Sequence, residues 1–83
     1  MATVRPMPAI ATRLTDVVVG YAKGRTAWEV ELYLLERFPL TGQETAMVLE
    51  DIRRCVQAKK AGGYVLLSCE AYYTLVHSLW RLN

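Results

Sequence analysis

The chain has no uninterrupted apolar run that approaches the roughly 20 residues needed to cross a bilayer. Runs such as Val17-Val18-Val19 and Tyr64-Val65-Leu66-Leu67 stop after a few positions. The N-terminal stretch MATVRPMPAIATRLTD carries Arg5 and Arg13 but no central apolar block, which argues against a secretory signal. Asp16 and the amphipathic pattern that begins at Ile10 argue against a transit peptide, so a cytoplasmic location and no membrane association are expected. Cysteine is scarce. Cys55 and Cys69 are too few for a disulfide framework, and both fall on otherwise apolar helical faces, where a reduced thiol behaves as a small hydrophobe.

Catalytic and metal-binding signatures are missing as well. The chain contains no H-x-x-x-H, C-x-x-C, P-loop or G-x-S-x-G motif. Cys55, Cys69 and His77 are spaced 14 and 8 residues apart, which matches no common zinc pattern and supplies only three ligands. Cysteine–histidine catalysis needs an orienting third group and a cleft, and a chain this short has little room for either. The expectation is therefore a protein without catalysis, cofactor, metal or small-molecule substrate. A dominant charge is absent too: the net charge of +2 neither demands nor excludes nucleic acid.

Apolar material is plentiful. Hydrophobic residues make up 53% of the 83-residue chain, and its mean hydropathy is slightly positive. A domain of this size buries only about 60–65% of the surface its unfolded chain exposes. Either the core is unusually dense or a second subunit or partner completes it, and the second reading is the favoured one.

The hydrophobic spacing predicts one all-α domain over residues 9–83, a compact four-helix bundle behind an extended arm, Met1–Pro8, that holds two of the prolines. The first helix, about 9–22, presents Ile10, Leu14, Val17, Val18 and Tyr21, although three successive valines leave a strand open. The second, about 26–38, begins at the capping box Thr26-x-x-Glu29 and stops at Pro39. It is apolar almost all round, with Glu29 and Glu36 as its clean polar stripe, which predicts a position at the centre of the fold. The third, about 42–61, begins at a second box, Thr41-x-x-Glu44, and ends at Gly62-Gly63. Its apolar stripe is Val48, Leu49, Ile52, Cys55 and Val56, and Glu50 is placed to pair with Arg54 at i+4. Tyr64 to Leu67 reads as a short extended segment, a strand fragment or a buried connector. Ser68 then caps a fourth helix, about 69–82, whose inner face is Tyr72, Leu75, Val76, Leu79 and Leu82.

The passage VLLSCEAYYTLVHSLWRLN, Val65 to Asn83, resembles the strand–serine–helix passage of Phd/YefM-type antitoxins. The resemblance implies a short strand leading into an amphipathic dimerisation helix. It covers 19 of 83 residues without a diagnostic motif. The remainder departs from that family: its usual N-terminal strand and helix are not visible, and two capped helices stand in the middle. No site residue is carried over from it.

Four groups are candidates for function. Tyr73, His77 and Trp80 lie on the flank of the last helix, where tyrosine and tryptophan suit a partner or homodimer interface; the alternative is that they close the core against the first helix or the arm. Glu29 and Glu36 could extend that surface. Glu31 falls within the apolar arc of the second helix, where a carboxylate needs a partner such as Arg13 or Arg25, or exposure at the helix edge. Arg53, Arg54, Lys59 and Lys60 form a basic cluster that could meet phosphates, with Glu50 and Asp51 interleaved. The second and third helices around the FPLTG turn also allow a helix-turn-helix reading in which Gln43 reads adenine, although Glu36 and Glu44 would repel phosphates there. The expected function is a small protein–protein interaction module (an adaptor, regulator or inhibitor) that self-associates. The alternative is a small DNA- or RNA-binding regulator.

Overall fold

Caps and glycines set the helix boundaries. The computed structural model describes residues 9–81 and contains four helices: α1 (Ala9–Ala22), α2 (Ala27–Arg37), α3 (Gly42–Lys60) and α4 (Cys69–Trp80). This is an all-α four-helix bundle, with no strand among the described residues. The expected arm, Met1–Pro8, and Leu82 of the fourth helix lie outside them.

Both capping boxes form. Thr26 and Thr41 are extended at the N-cap; each hydroxyl accepts from the amide three residues on, and Glu29 and Glu44 return a carboxylate oxygen to the N-cap amide. At the far end of α3, Gly62 adopts φ +91°, which a side chain would strain. Its amide donates to the Lys59 carbonyl at 3.0 Å and that of Gly63 to the Ala58 carbonyl at 2.9 Å, a Schellman closure.

α3, not α2, is the centre. α3 packs against α1, α2 and α4, whereas α2 packs on α1 and α3. The expectation of a wrapped second helix is corrected: Trp28, Leu32 and Leu35 are exposed, and only Val30, Tyr33 and Leu34 of α2 are buried. The physical reason is length. α3 is the longest helix at 19 residues, long enough to seat three neighbours, while α2 has 11 and one packed side.

The inward faces of α1 and α4 agree only in part with those expected: Val18, Tyr72 and Leu75 are buried and Leu14 and Tyr21 pack against the core, but the remaining buried positions differ. α1 buries Ala11, Thr15, Val18, Val19 and Ala22 and leaves Ile10 and Val17 in solvent. α4 buries Ala71, Tyr72, Leu75 and Ser78 and leaves Leu79 exposed. In both helices small residues share the buried face with larger ones, and the buried hydroxyls are satisfied locally. Thr15 Oγ1 donates to the Ala11 carbonyl at 2.8 Å and Ser78 Oγ to the Leu75 carbonyl at 2.7 Å.

Residues 63–68 are non-helical, and the expected strand fragment, which the antitoxin resemblance also implied, does not form. Ser68 does cap α4, accepting from the Ala71 amide. The linker is instead pinned by side chains. The Leu67 amide donates to Thr15 Oγ1 (3.1 Å), the Ser68 amide to Asp51 Oδ2 (2.8 Å), Arg54 to the Leu66 carbonyl (2.9 Å), and the Tyr64 hydroxyl to Asp16 (2.9 Å). This use of Asp51 explains why Glu50 does not pair with Arg54. Arg54 pairs with Asp51 at 3.0 Å, and Glu50 takes Arg53 at 3.2 Å. Cys69, expected on an apolar face, is exposed at the start of α4, while Cys55 is buried as expected.

Beyond α4, Arg81 places a bidentate guanidinium on Glu44 at 2.8 and 2.7 Å, tying the end of α4 to the start of α3. That contact, with the Thr41 amide, pulls the Glu44 carboxyl down to about 2.

Two predictions follow from these contacts. Thr15→Val leaves the buried Leu67 amide without an acceptor and should lower stability by about 1–3 kcal/mol in urea unfolding, with Thr15→Ser recovering part of the loss. Glu44 has a depressed pKa, so its contribution is complete above its ordinary value of 4.5 and is lost as pH falls through about 2. The melting-temperature difference between wild type and Glu44→Gln should therefore be constant near neutrality, shrink below about pH 4.5 and vanish near pH 2.

Candidate interaction surface

α4 presents a row of rings. Ala71, Leu75 and Ser78 turn to the core, which leaves Tyr73, His77 and Trp80, at i, i+4 and i+7, on the flank. The Tyr73 and His77 rings lie 5.6 Å apart, and His77 stacks on Trp80 at 5.0 Å with 26° between planes. Buried Tyr72 meets Tyr73 edge-on at 5.1 Å and anchors the row to the core. Tyr73 is 52% and Trp80 68% exposed, and exposed Leu79 adjoins them. The rings thus hold one another while their outer faces remain open, so little side-chain freedom is left to lose on binding.

Glu29 and Glu36 do not join this row: no hydrogen bond, ion pair or aromatic contact links them to it among the described residues. Glu29 is engaged by the amide and hydroxyl of Thr26, and the amide bond holds its carboxyl below the usual range. Glu36 lies 3.7 Å from Arg37. Glu31 is half-buried and forms no ion pair with Arg13 or Arg25 among the described residues.

The basic cluster is divided. All four side chains are exposed, but Arg54 is taken up by Asp51 and the linker and Arg53 by Glu50. Lys60 borders a shallow pocket floored by Val19 and Val56, together with Lys59 and Lys23. It also borders a larger groove at the junction of α1, α2 and α3, where Arg25 and Arg53 stand on the rim. Gln43 is exposed at the opposite end of α3, about 25 Å from Lys60 at 1.5 Å per residue. Beside it, Glu44 is locked to Arg81. The reading residue and the cations required by a helix-turn-helix are therefore far apart.

Sequence reasoning missed two features. Trp28, Leu32 and Leu35 form an exposed stripe at i, i+4 and i+7 on α2, a spacing visible in the sequence but assigned there to the core. The second is a four-layer column between α1 and α2. Tyr21 and Tyr33 stack with centroids 3.9 Å apart and 14° between planes. Arg25 covers Tyr21 at 4.1 Å and Arg37 covers Tyr33 at 4.2 Å. The signal was the repeated Tyr-x-x-x-Arg spacing, which places a guanidinium over a ring one helical turn away.

Among the described residues no three His, Cys, Asp or Glu side chains converge to hold a metal ion, and no helix is long and apolar enough to cross a membrane. Of the two thiols, Cys55 is buried, and burial pushes its pKa up, which leaves it a poor nucleophile. No protein-family model, curated protein or solved structure matches the chain. In the folded protein a thiol reagent should modify Cys69 rapidly and Cys55 only on unfolding. Mass spectrometry of the native reaction should show a single fast adduct, and two adducts at equal rates would contradict the burial of Cys55.

Proposed function

We propose that this chain is a non-catalytic protein–protein interaction module and that the aromatic row of α4 is its working surface. The observation that carries this reading is the contiguous row of exposed rings, His77 stacked on Trp80 and Tyr73 tilted against His77, on a helix whose opposite side is locked into the core. Large rings with polar edges, already ordered, are the residue types that dominate interface energetics. The row has no formal partner charge to satisfy, so binding there depends little on salt.

A photo-crosslinking side chain at position 79, next to Trp80, tests this in the protein's native cells. It should trap a defined protein, and Trp80→Ala should remove the adduct while the melting temperature holds. With the partner in hand, Trp80→Ala should weaken binding by about 2 kcal/mol or more, roughly thirtyfold. Raising salt from 0.1 to 0.5 M should change it little. Adducts at position 79 no stronger than those from a crosslinker at position 43, or unchanged by Trp80→Ala, would remove the row from the account.

Nucleic-acid binding is the second reading. The observation that favours it is the gathering of Lys23, Arg25, Arg53, Lys59 and Lys60 around two adjoining hollows. The apolar floor between those cations, and their place near the C-terminal, electronegative end of α3, weigh against a phosphate backbone. If the reading holds, Arg53→Ala and Lys60→Ala should each weaken binding to labelled DNA or RNA and flatten the salt slope by about one. No salt-dependent binding by the wild-type chain would end it.

A further inference from the structure

α2 carries two apolar sides. Val30, Tyr33 and Leu34 face the core, while Trp28, at 65% exposure, with Leu32 at 42% and Leu35 at 45%, forms a continuous stripe on the opposite side. Glu29 and Glu36 border that stripe along one edge and Glu31 along the other, by their positions around the helix. Arg37, the one cation of α2, is turned over the Tyr33 ring. The outer side of α2 is therefore apolar with acidic margins, the form of an amphipathic helix that lies in a groove.

The chain also holds a groove of the complementary kind. It has a volume of about 430 Å³ and lies where the end of α1 and the first turns of α2 meet the outer side of α3. Ala46, Leu49 and Val56 give it an accessible apolar lining over the buried Ile52, and Arg25, Arg53 and Lys60 stand around it. Glu50, the one acidic residue lining it, is already paired with Arg53 at 3.2 Å. With that pair counted as neutral, Arg25 and Lys60 keep the rim positive, so stripe and groove match in polarity and in sign of charge.

Pairing of α2 with α2 of a second copy would instead set glutamates against glutamates, which like-charge repulsion opposes. We infer that the chain self-associates by laying α2 of one copy in the groove of a second copy. The Trp28, Leu32 and Leu35 stripe then covers the apolar lining, and the Glu29, Glu31 and Glu36 margins meet the Arg25, Arg53 and Lys60 rim. Each copy carries both surfaces, and an arrangement about a two-fold axis in which both contacts form at once closes the assembly as a dimer, whereas one contact repeated head to tail would give longer assemblies. This rests on the reading that the surplus apolar surface meets another protein, and it leaves the aromatic row of α4 free for a different one.

Sedimentation equilibrium of the full chain, with circular dichroism to verify folding, tests the inference by charge exchange. Wild type should dimerise, with a dissociation constant that rises about tenfold or more between 0.1 and 0.5 M salt. Glu31→Lys with Glu36→Lys should weaken the dimer at least tenfold, as should Arg53→Glu with Lys60→Glu. Glu29 is left unchanged because it caps α2. All four substitutions together restore opposite signs across the contact and should recover the dimer, while Trp80→Ala should leave it intact. A wild-type monomer at about 100 µM, or a dimer indifferent to both charge-reversed pairs, overturns the inference. Dimer loss in Trp80→Ala alone would move self-association to α4, sinking this inference while sparing the interaction module. Oligonucleotide binding that the rim pair abolishes, by a chain that stays monomeric, would assign the groove to nucleic acid instead.

Discussion

Every backbone amide that leaves water without a helix or sheet to receive it needs another acceptor. In this fold that demand is concentrated in residues 63–68, which lead α4 back along α3 without regular structure. The Leu67 and Ser68 amides find Thr15 and Asp51, and the Leu66 carbonyl finds Arg54. The register of α4 follows from those bonds, because Ser68 is both the last tethered residue and the N-cap. The orientation of α1 follows as well. The side of α1 that faces inward is the side with Thr15, Val18 and Val19, and Ile10 and Val17 are left exposed.

One polar requirement thus competes with hydrophobicity on equal terms. Fully burying a large aliphatic side chain contributes about 1.5–3 kcal/mol, and an orphaned buried amide costs about 1–3 kcal/mol. The two are comparable, so a fold that satisfies the amide and packs small residues tightly can leave a valine in solvent. The surplus apolar surface expected from composition is consequently real but redistributed. It lies on the outer sides of α1 and α2 and on the flank of α4, while α3 takes the central position.

This balance explains what was legible in the sequence. Helix limits were, because caps and stop signals are local: the two Thr-x-x-Glu boxes, Pro39, Gly62-Gly63 and Ser68 each act within a turn or two of their own position. The aromatic row was legible too, since the i, i+4 and i+7 spacing of Tyr73, His77 and Trp80 puts them on one flank. The inward side was legible for α3, whose Val48, Ile52 and Cys55 are buried with Leu49 and Val56 packed beside them, and only in part for the other three. Helical periodicity reveals an apolar arc, but where the arc is wide, as in α1, α2 and α4, it does not say which part is covered. That choice depends on contacts such as Thr15 to Leu67 and Asp51 to Ser68, between residues far apart in sequence. The Arg25–Tyr21–Tyr33–Arg37 column was half legible, as two local pairs whose stacking on each other could not be read.

That column also bears on the order in which the molecule assembles. It joins residues 12 positions apart across a short turn, so the α1–α2 hairpin closes at little entropic cost and early. The bonds that seat the linker before α4 reach back 48 and 52 residues to α1, and contacts of such long range form late. By the same reasoning α4, held by these bonds and by the Arg81 clamp on Glu44, is the helix whose seating depends most on the rest of the chain being in place.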